Sequence, residues 1–264
     1  MFDFFKVQKV VVKKQSIPEA TDIANIHAIA LYFQKHTGIE FDSSSSVFQI
    51  KMKSFCKMHK VSSFKNILIE LQKNQDLKQE LINYLTTNES YFNREFHQIE
   101  SLVASVKESF SHVRILCVPC SHGEEPYSIA IALLEAGVSS TKFDITGIDI
   151  NKEVIAQAQQ AIYNEKAIRN LSASVRSSYF TKEGSLFSLH SEIKNKVTFK
   201  CINIFESSFQ KLEKFDYIFS RNMLIYFDTS TRIKAQKLFE EHLVDTSKDI
   251  YYGHADVTHL HTLS

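Results

Sequence analysis

The sequence predicts an α/β protein, with a mostly parallel sheet covered by helices on both faces and a small all-helical domain ahead of it. Three observations predict this. From Val113 onward, short apolar runs of strand length alternate with amphipathic segments of helix length, which is the pattern of a βαβ chain. From about Asp22 to Leu85, apolar residues recur at helical spacing with no strand-like run among them. The 264 residues, 44% hydrophobic and 23% charged, suffice for one medium and one small globular domain.

The elements follow in order. Residues 1–20 read as an extension ending near Pro18. Ile23, Ile26, Ala30 and the pair Tyr32 and Phe33 form the stripe of a first helix, which Gly38 ends after Lys35 and His36. The polar stretch FDSSSS offers a serine N-cap to a helix from about Val47 to His59. Phe48, Met52 and Phe55 fall on one side of that helix, and Lys53, Lys57 and Lys60 on the other. The lysines are either a solvated face or a contact surface for an acidic partner. SSFKNILIELQ and DLKQELINYL give two more helices, with Ser62 or Ser63 and Asp76 as caps, so the helical domain is placed at residues 21–86. Beyond it, VRILCVP is a buried strand. EEPYSIAIALLEAG is a helix with Pro126 in its first turn and Gly137 at its end. FDITGIDI, VTFKCINI, the start of FDYIFSRNMLIYF, and DIYYGHA read as further strands. KEVIAQAQQAIYN and TSTRIKAQKLFEEHL read as helices. The polar, strand-prone YFTKEGSLFSLHSEIKNKVTF is expected to form a small β insertion at about residues 180–200. The second domain is placed at residues 87–264.

Composition excludes some functions. A net charge of +1 argues against binding nucleic acid by bulk electrostatics. Cys117 and Cys120 form a C-x-x-C, but no second ligand pair has zinc-site spacing, and Cys117 lies inside an apolar run. They read as small apolar residues at a strand end, and no metal is expected. Lys6 and Lys9 interrupt the apolar opening, and no run approaches membrane-spanning length. A cytoplasmic monomer without membrane insertion is expected.

Chemistry concentrates in CVPCSHGEEPYSIAIAL. Ligands of a doubly wound sheet sit beyond the carboxyl ends of its strands. Gly123 follows the first strand and lets backbone approach a ligand, while Asp149 ends the second strand, where an acid accepts hydrogen bonds from ribose hydroxyls. The full G-x-G-x-x-G needed under a pyrophosphate is missing. Glu124 and Glu125 beside the turn suit a cationic, phosphate-free ligand, and S-adenosylmethionine has that chemistry. A structural turn followed by a helix start with acids favoured by the dipole accounts for the same residues.

Longer motifs separate these readings. TTNESYFNRE, GEEPYSIAIAL, GIDINKEVIAQAQQAIY, INIFE, FDYIFSRNMLIYF and YYGHAD occur in this order. Together they resemble the CheR family of chemotaxis receptor glutamate methyltransferases, from about Gly38 to the C-terminus. The resemblance implies a Rossmann-like S-adenosylmethionine-dependent methyltransferase domain, with the helical domain and the β insertion as its additions. It implies cofactor contacts at Asn88, Ser90, Arg94, Glu125, Asp149, Asn203 with Ile204, and Arg221 with Asn222. Arg94 and Tyr226 match the residues placed near the methyl group and the substrate carboxylate. The implied substrates are glutamates on chemoreceptor cytoplasmic domains, which would meet Lys53, Lys57 and Lys60. Four departures stand out. Asn93 replaces a usual phenylalanine, His122 a usual small hydroxyl residue, VDTSKDIYY lacks a Pro-Gly turn, and the chain ends soon after GHADVTHL. The alternatives are a methyltransferase for another substrate and a non-catalytic module that binds cofactor or receptor.

Overall fold

The computed structural model describes residues 22–260 except 246. The extension expected at residues 1–20 lies outside the described residues. A short 3-10 turn leads into four helices: α1 (Ile26–Thr37), α2 (Ser46–Met58), α3 (Phe64–Lys73) and α4 (Gln75–Leu85). Each buries one apolar stripe, and Phe33, Met52, Phe64, Ile67 and Leu81 meet in a common core. Gly38 closes α1 in the left-handed conformation. Ser45 sits at the N-cap of α2, but its side chain makes no capping bond. Ser63 caps α3 through the Asn66 N–H. Asp76 is not a cap, because Asn74 holds that position and accepts from the Leu77 N–H, leaving Asp76 in the first turn.

Helix α5 (Phe96–Glu108) leads to the sheet. Its five strands are β1 (Val113–Cys117), β2 (Phe143–Asp149), β6 (Val197–Cys201), β7 (Tyr217–Ser220) and β8 (Ile250–Tyr252). All pair in parallel, in the order β6-β2-β1-β7-β8. The helices are α6 (Glu124–Glu135), α7 (Lys152–Gln160), α10 (Ser207–Gln210), α11 (Thr229–Glu241) and α12 (His254–Leu260). Alternate residues of β1 serve the two faces. Val113, Ile115 and Cys117 pack with Ile129 and Leu133 of α6, and Leu116 packs with Phe239 of α11. The chain runs outward from β1 to β2 and β6, then returns to β7 and β8. The switch between β1 and β7 is where an open α/β sheet leaves a crevice.

The β insertion is larger than expected. It contains β3 (Ile162–Asn164), α8 (Ala173–Tyr179), β4 (Phe180–Glu183), β5 (Leu186–Leu189) and α9 (Ser191–Lys194). Its strands pair antiparallel in the order β3-β5-β4. The segment KEVIAQAQQAIYN is therefore not helical throughout. Ala161 turns left-handed at φ 55° and ends α7, freeing Ile162–Asn164 to pair with β5.

The four-helix unit is tied across the carboxyl ends of the sheet. Gln79 Nε2 donates to the Ile150 carbonyl (2.9 Å), Asn203 Nδ2 to His36 (2.6 Å), and Gln34 Nε2 to Asp228 Oδ2 (2.9 Å). The Glu40 N–H donates to the Tyr226 carbonyl at 2.9 Å. These bonds roof the crevice rather than fill it.

Candidate active site

The crevice consists of two adjoining chambers. The apolar one is walled by Phe41, Leu85, Ile150, Ile202, Ile204 and Phe227, with Asn203 at its edge. The polar one is lined by Ser90, Tyr91, Arg94, Ser121, Glu125 and Arg221. Asn88, Asp149, Asn222 and Tyr226 line both. All of the site residues implied by the family resemblance thus line one crevice. Gly123 and Glu124 do not line it.

Gly123 has a different task from the one the sequence suggested. It takes φ 89° at the N-cap of α6, and a Cβ there would lie 3.0 Å from both Phe199 and Tyr127. The glycine serves the turn and helix–sheet packing. The adjacent glutamates part company, because successive residues in the first turn of a helix point about 100° apart. Glu125 enters the polar chamber, where Oε2 accepts from Arg221 Nε. Its Oε1 is buried with no hydrogen-bond partner. Arg221, itself buried, also donates from Nη1 to the Arg94 carbonyl at 2.6 Å. One ion pair therefore holds the chain at Arg94 and leaves one buried carboxylate oxygen unpartnered.

Glu124 points instead toward His122, with 3.9 Å between Oε1 and Nδ1, and its Oε2 is buried without a partner. Burial pushes its carboxyl up to about 7 from 4.5. The favourable field of a helix N-terminus, about 0.3–1 kcal/mol, is smaller than that penalty. Because the folded state holds this proton more tightly than the unfolded chain, its stabilising effect is complete below 4.5 and is lost as pH rises through about 7. Glu124→Gln is therefore expected to raise Tm by more at about pH 8 than at about pH 5, with a ceiling of about 3 kcal/mol. Thermal melts that shift equally at both pH values would contradict it.

Asp149 ends β2 and is buried except where it lines the two chambers. Oδ2 accepts from the Ser121 N–H (3.0 Å) and Oδ1 from the Asn151 N–H (2.9 Å). Burial outweighs these bonds and pushes the carboxyl up to about 6. Asn151 is a hub that sequence reasoning missed. Its Oδ1 caps α7 at Glu153 and Val154. Its Nδ2 reaches the Asn83 carbonyl, Thr86 Oγ1 and Asn88 Oδ1. The only local signal was an Asn before a helix.

Asp256 was also missed. It is completely buried, 34 residues beyond Asn222 in sequence, and accepts from the backbone N–H groups of Asn222 (2.5 Å) and Ile225 (3.2 Å). Asn222 is left-handed at φ 59°, a conformation that needs such support. Gly253 lets the chain pass there, since a Cβ would lie 3.0 Å from the Asn222 nitrogen. YYGHAD thus positions the loop carrying Arg221, Asn222 and Tyr226.

Other expected residues differ in detail. Asn203 has its side chain committed to protein, with Nδ2 on His36 and Oδ1 accepting from the Phe205 N–H. Asn93 lies outside both chambers at φ 58°, a backbone that asparagine tolerates, and its N–H donates to Ser128 Oγ. Lys53 and Lys57 are on α2, but Lys60 lies past its end in a left-handed turn. Cys117 and Cys120 are buried thiols pushed well up by burial.

Sequence comparison decides the family. Residues 88–262 match the family described as "CheR methyltransferase, SAM binding domain". The chain belongs to the CheR methyltransferase family. A chemotaxis protein methyltransferase of Campylobacter jejuni (strain 81-176) is 34% identical over 84% of this chain and 84% of its own length. Chemotaxis protein methyltransferase 2 of Vibrio cholerae is 35% identical over 85% and 82%. The chemotaxis protein methyltransferase of Salmonella typhimurium is 32% identical over 72% and 67%. CheR membership makes S-adenosylmethionine the cofactor, and the crevice fits it. The unpartnered Glu125 oxygen suits an ammonium, the Asp149 carboxylate suits hydroxyls, and the apolar chamber suits an aromatic base.

Proposed function

We propose that this chain methylates glutamate side chains on chemoreceptor cytoplasmic domains, forming methyl esters. The observation that carries this reading is the polar chamber, which Tyr226 and the half-buried Arg94 line together with Glu125, whose Oε1 is unpartnered. When bound, S-adenosylmethionine supplies a methyl group on a sulfonium, which departs as a neutral thioether. A substrate carboxylate, ionised at neutral pH, supplies the electron pair, so the chain needs no general base. Its task is alignment.

In this reading Glu125 takes the ammonium and Asp149 the ribose hydroxyls. Asn88, Ser90 and Asn222 line the path between them, and Ile204 and Asn203 wall the base. Arg221 acts through Glu125 and the Arg94 carbonyl. Arg94 holds the incoming carboxylate by charge-assisted hydrogen bonds, and Tyr226, 40% exposed, orients it from the facing loop. Residues 21–86 serve as the receptor-contact unit. Lys53 and Lys57 of α2 supply its attraction to an acidic surface, with exposed Val47 and Ile50 on the same helix supplying apolar contact. Lys60 adds charge from the adjoining turn.

Incubating the protein with methyl-labelled S-adenosylmethionine and recombinant receptor cytoplasmic fragments is expected to give base-labile label on the receptor. Cofactor binding without transfer would favour a regulatory module. Base-stable label, or label on RNA, would favour another substrate.

A further inference from the structure

The turn between β3 and α8 touches the crevice from outside. Lys166 Nζ pairs with Glu89 (2.6 Å), the Phe92 N–H donates to the Ala167 carbonyl (2.9 Å), and the Arg169 guanidinium stacks on the Tyr91 ring, 3.7 Å from its centroid. This turn is therefore fastened to Glu89, Tyr91 and Phe92. Glu89 and Tyr91 line the polar chamber.

Its cations are not equivalent. Lys166 is matched by Glu89, and Arg176 by Glu165 at 2.5 Å. Among the described residues no carboxylate lies within ion-pair distance of Arg169, and the hydrogen bond donated by its side chain goes to the Lys166 carbonyl (2.6 Å). Arg169 is exposed. Among the described residues no carboxylate lies within ion-pair distance of Arg94 either, and its guanidinium lies 5.7 Å from the same Tyr91 centroid. Two guanidinium groups without a direct carboxylate contact thus share one aromatic ring, and Glu89, whose carboxyl Lys166 first and then Arg169 and Arg94 hold below its usual range, is already bonded to Lys166. Stacking fixes the face of Arg169 and leaves its N–H edge available to a carboxylate. Side chains three or four apart on a helix are neighbours, about 5–6 Å between Cβ atoms. A helix can therefore present two carboxylates one turn apart, one to each guanidinium.

We propose that Arg169 is a specificity residue that reads a second carboxylate, one helical turn from the glutamate held at Arg94, on an acidic helical substrate. The proposal rests on the methyl-acceptor reading given above. It extends the substrate contact to the β insertion, on the side of the chamber formed by the Glu89–Arg94 segment.

The test uses a receptor cytoplasmic fragment that the wild-type protein methylates, and variants whose acidic residues three or four positions from the methylated glutamate are changed to Gln or Lys. Arg169→Ala is expected to raise KM for the acidic fragment about fivefold, the size of one exposed ion pair. The kcat and the cofactor Kd should stay unchanged. On the Gln fragment the wild type and Arg169→Ala should have equal KM, and Arg169→Glu should prefer the Lys fragment. An unchanged KM, a rise of equal size on every fragment, or loss of cofactor binding in Arg169→Ala would overturn the proposal, the last by making Arg169 a structural clamp. If the wild type labels no fragment, the methyl-acceptor reading fails first and takes this one with it. If it labels fragments and Arg169→Ala behaves as wild type, only this proposal fails.

Discussion

Arg94→Ala is expected to lower kcat by about 10²–10³-fold while changing the S-adenosylmethionine Kd by no more than about threefold. The asymmetry follows from how little of the protein depends on this side chain. Its recorded hydrogen bond is long, 3.4 Å to the Glu89 carbonyl, and the group is only half-buried. Removing it strands no buried partner. The part of Arg94 that Arg221 uses is the backbone carbonyl, which alanine retains. Tyr91 keeps the closer of its two guanidinium neighbours, Arg169. What disappears is a fork of donors lining the polar chamber, the group that the proposed function assigns to holding a carboxylate in line with the methyl group. Arg94→Lys separates charge from geometry, because an ammonium lacks the planar fork. It is expected to recover a minor part of the lost rate. Steady-state kinetics and calorimetric titration with the cofactor check both variants. A loss of cofactor affinity as large as the loss of rate would remove Arg94 from the acceptor side of the crevice.

The order of elements was legible in the sequence because strand-length apolar runs and helix punctuation agreed. Gly38, Pro126 and Gly137 each mark what the structure contains. The misses share a cause. β3 follows a left-handed residue that is alanine rather than glycine or asparagine, so no local signal announces the break. Asn74 displaces Asp76 as a cap, although both are good capping types, because packing of Leu77 and Leu81 fixes the phase of the helix. The candidate site was legible as residue types at strand ends, but its wiring was not. Glu124 and Glu125 are equivalent in composition, and only the helix phase sends one to the chamber and the other into the core. Asn151 and Asp256 act through bonds to backbone groups up to 68 residues away, a distance over which sequence pattern carries no register.

In the proposed reading Glu125 serves both cofactor affinity and local architecture, and two substitutions are expected to pull them apart. Glu125→Gln keeps an oxygen to accept from Arg221 and a similar shape, but removes the charge that an ammonium would meet. A hydrogen bond to a charged group is worth about 1.5–3 kcal/mol, so the S-adenosylmethionine Kd is expected to rise about 10–100-fold. Glu125→Ala goes further. Arg221 is 6% exposed, and without Glu125 its guanidinium is a buried cation with no counterion, a loss of about 3–5 kcal/mol where one partner of a buried pair is removed. Arg221 would then have to leave its place, releasing the Arg94 carbonyl with it. Glu125→Ala is accordingly expected to lower both Tm and affinity, whereas Glu125→Gln lowers affinity with a smaller change in Tm. Adding Arg221→Met to Glu125→Ala should recover part of the stability and none of the affinity, since the stranded charge is gone but the ammonium acceptor is still missing. Recovery of affinity in that double variant would assign cofactor recognition to a group other than this carboxylate. Equal Kd values for the wild type and Glu125→Gln would show that the unpartnered oxygen meets no cation.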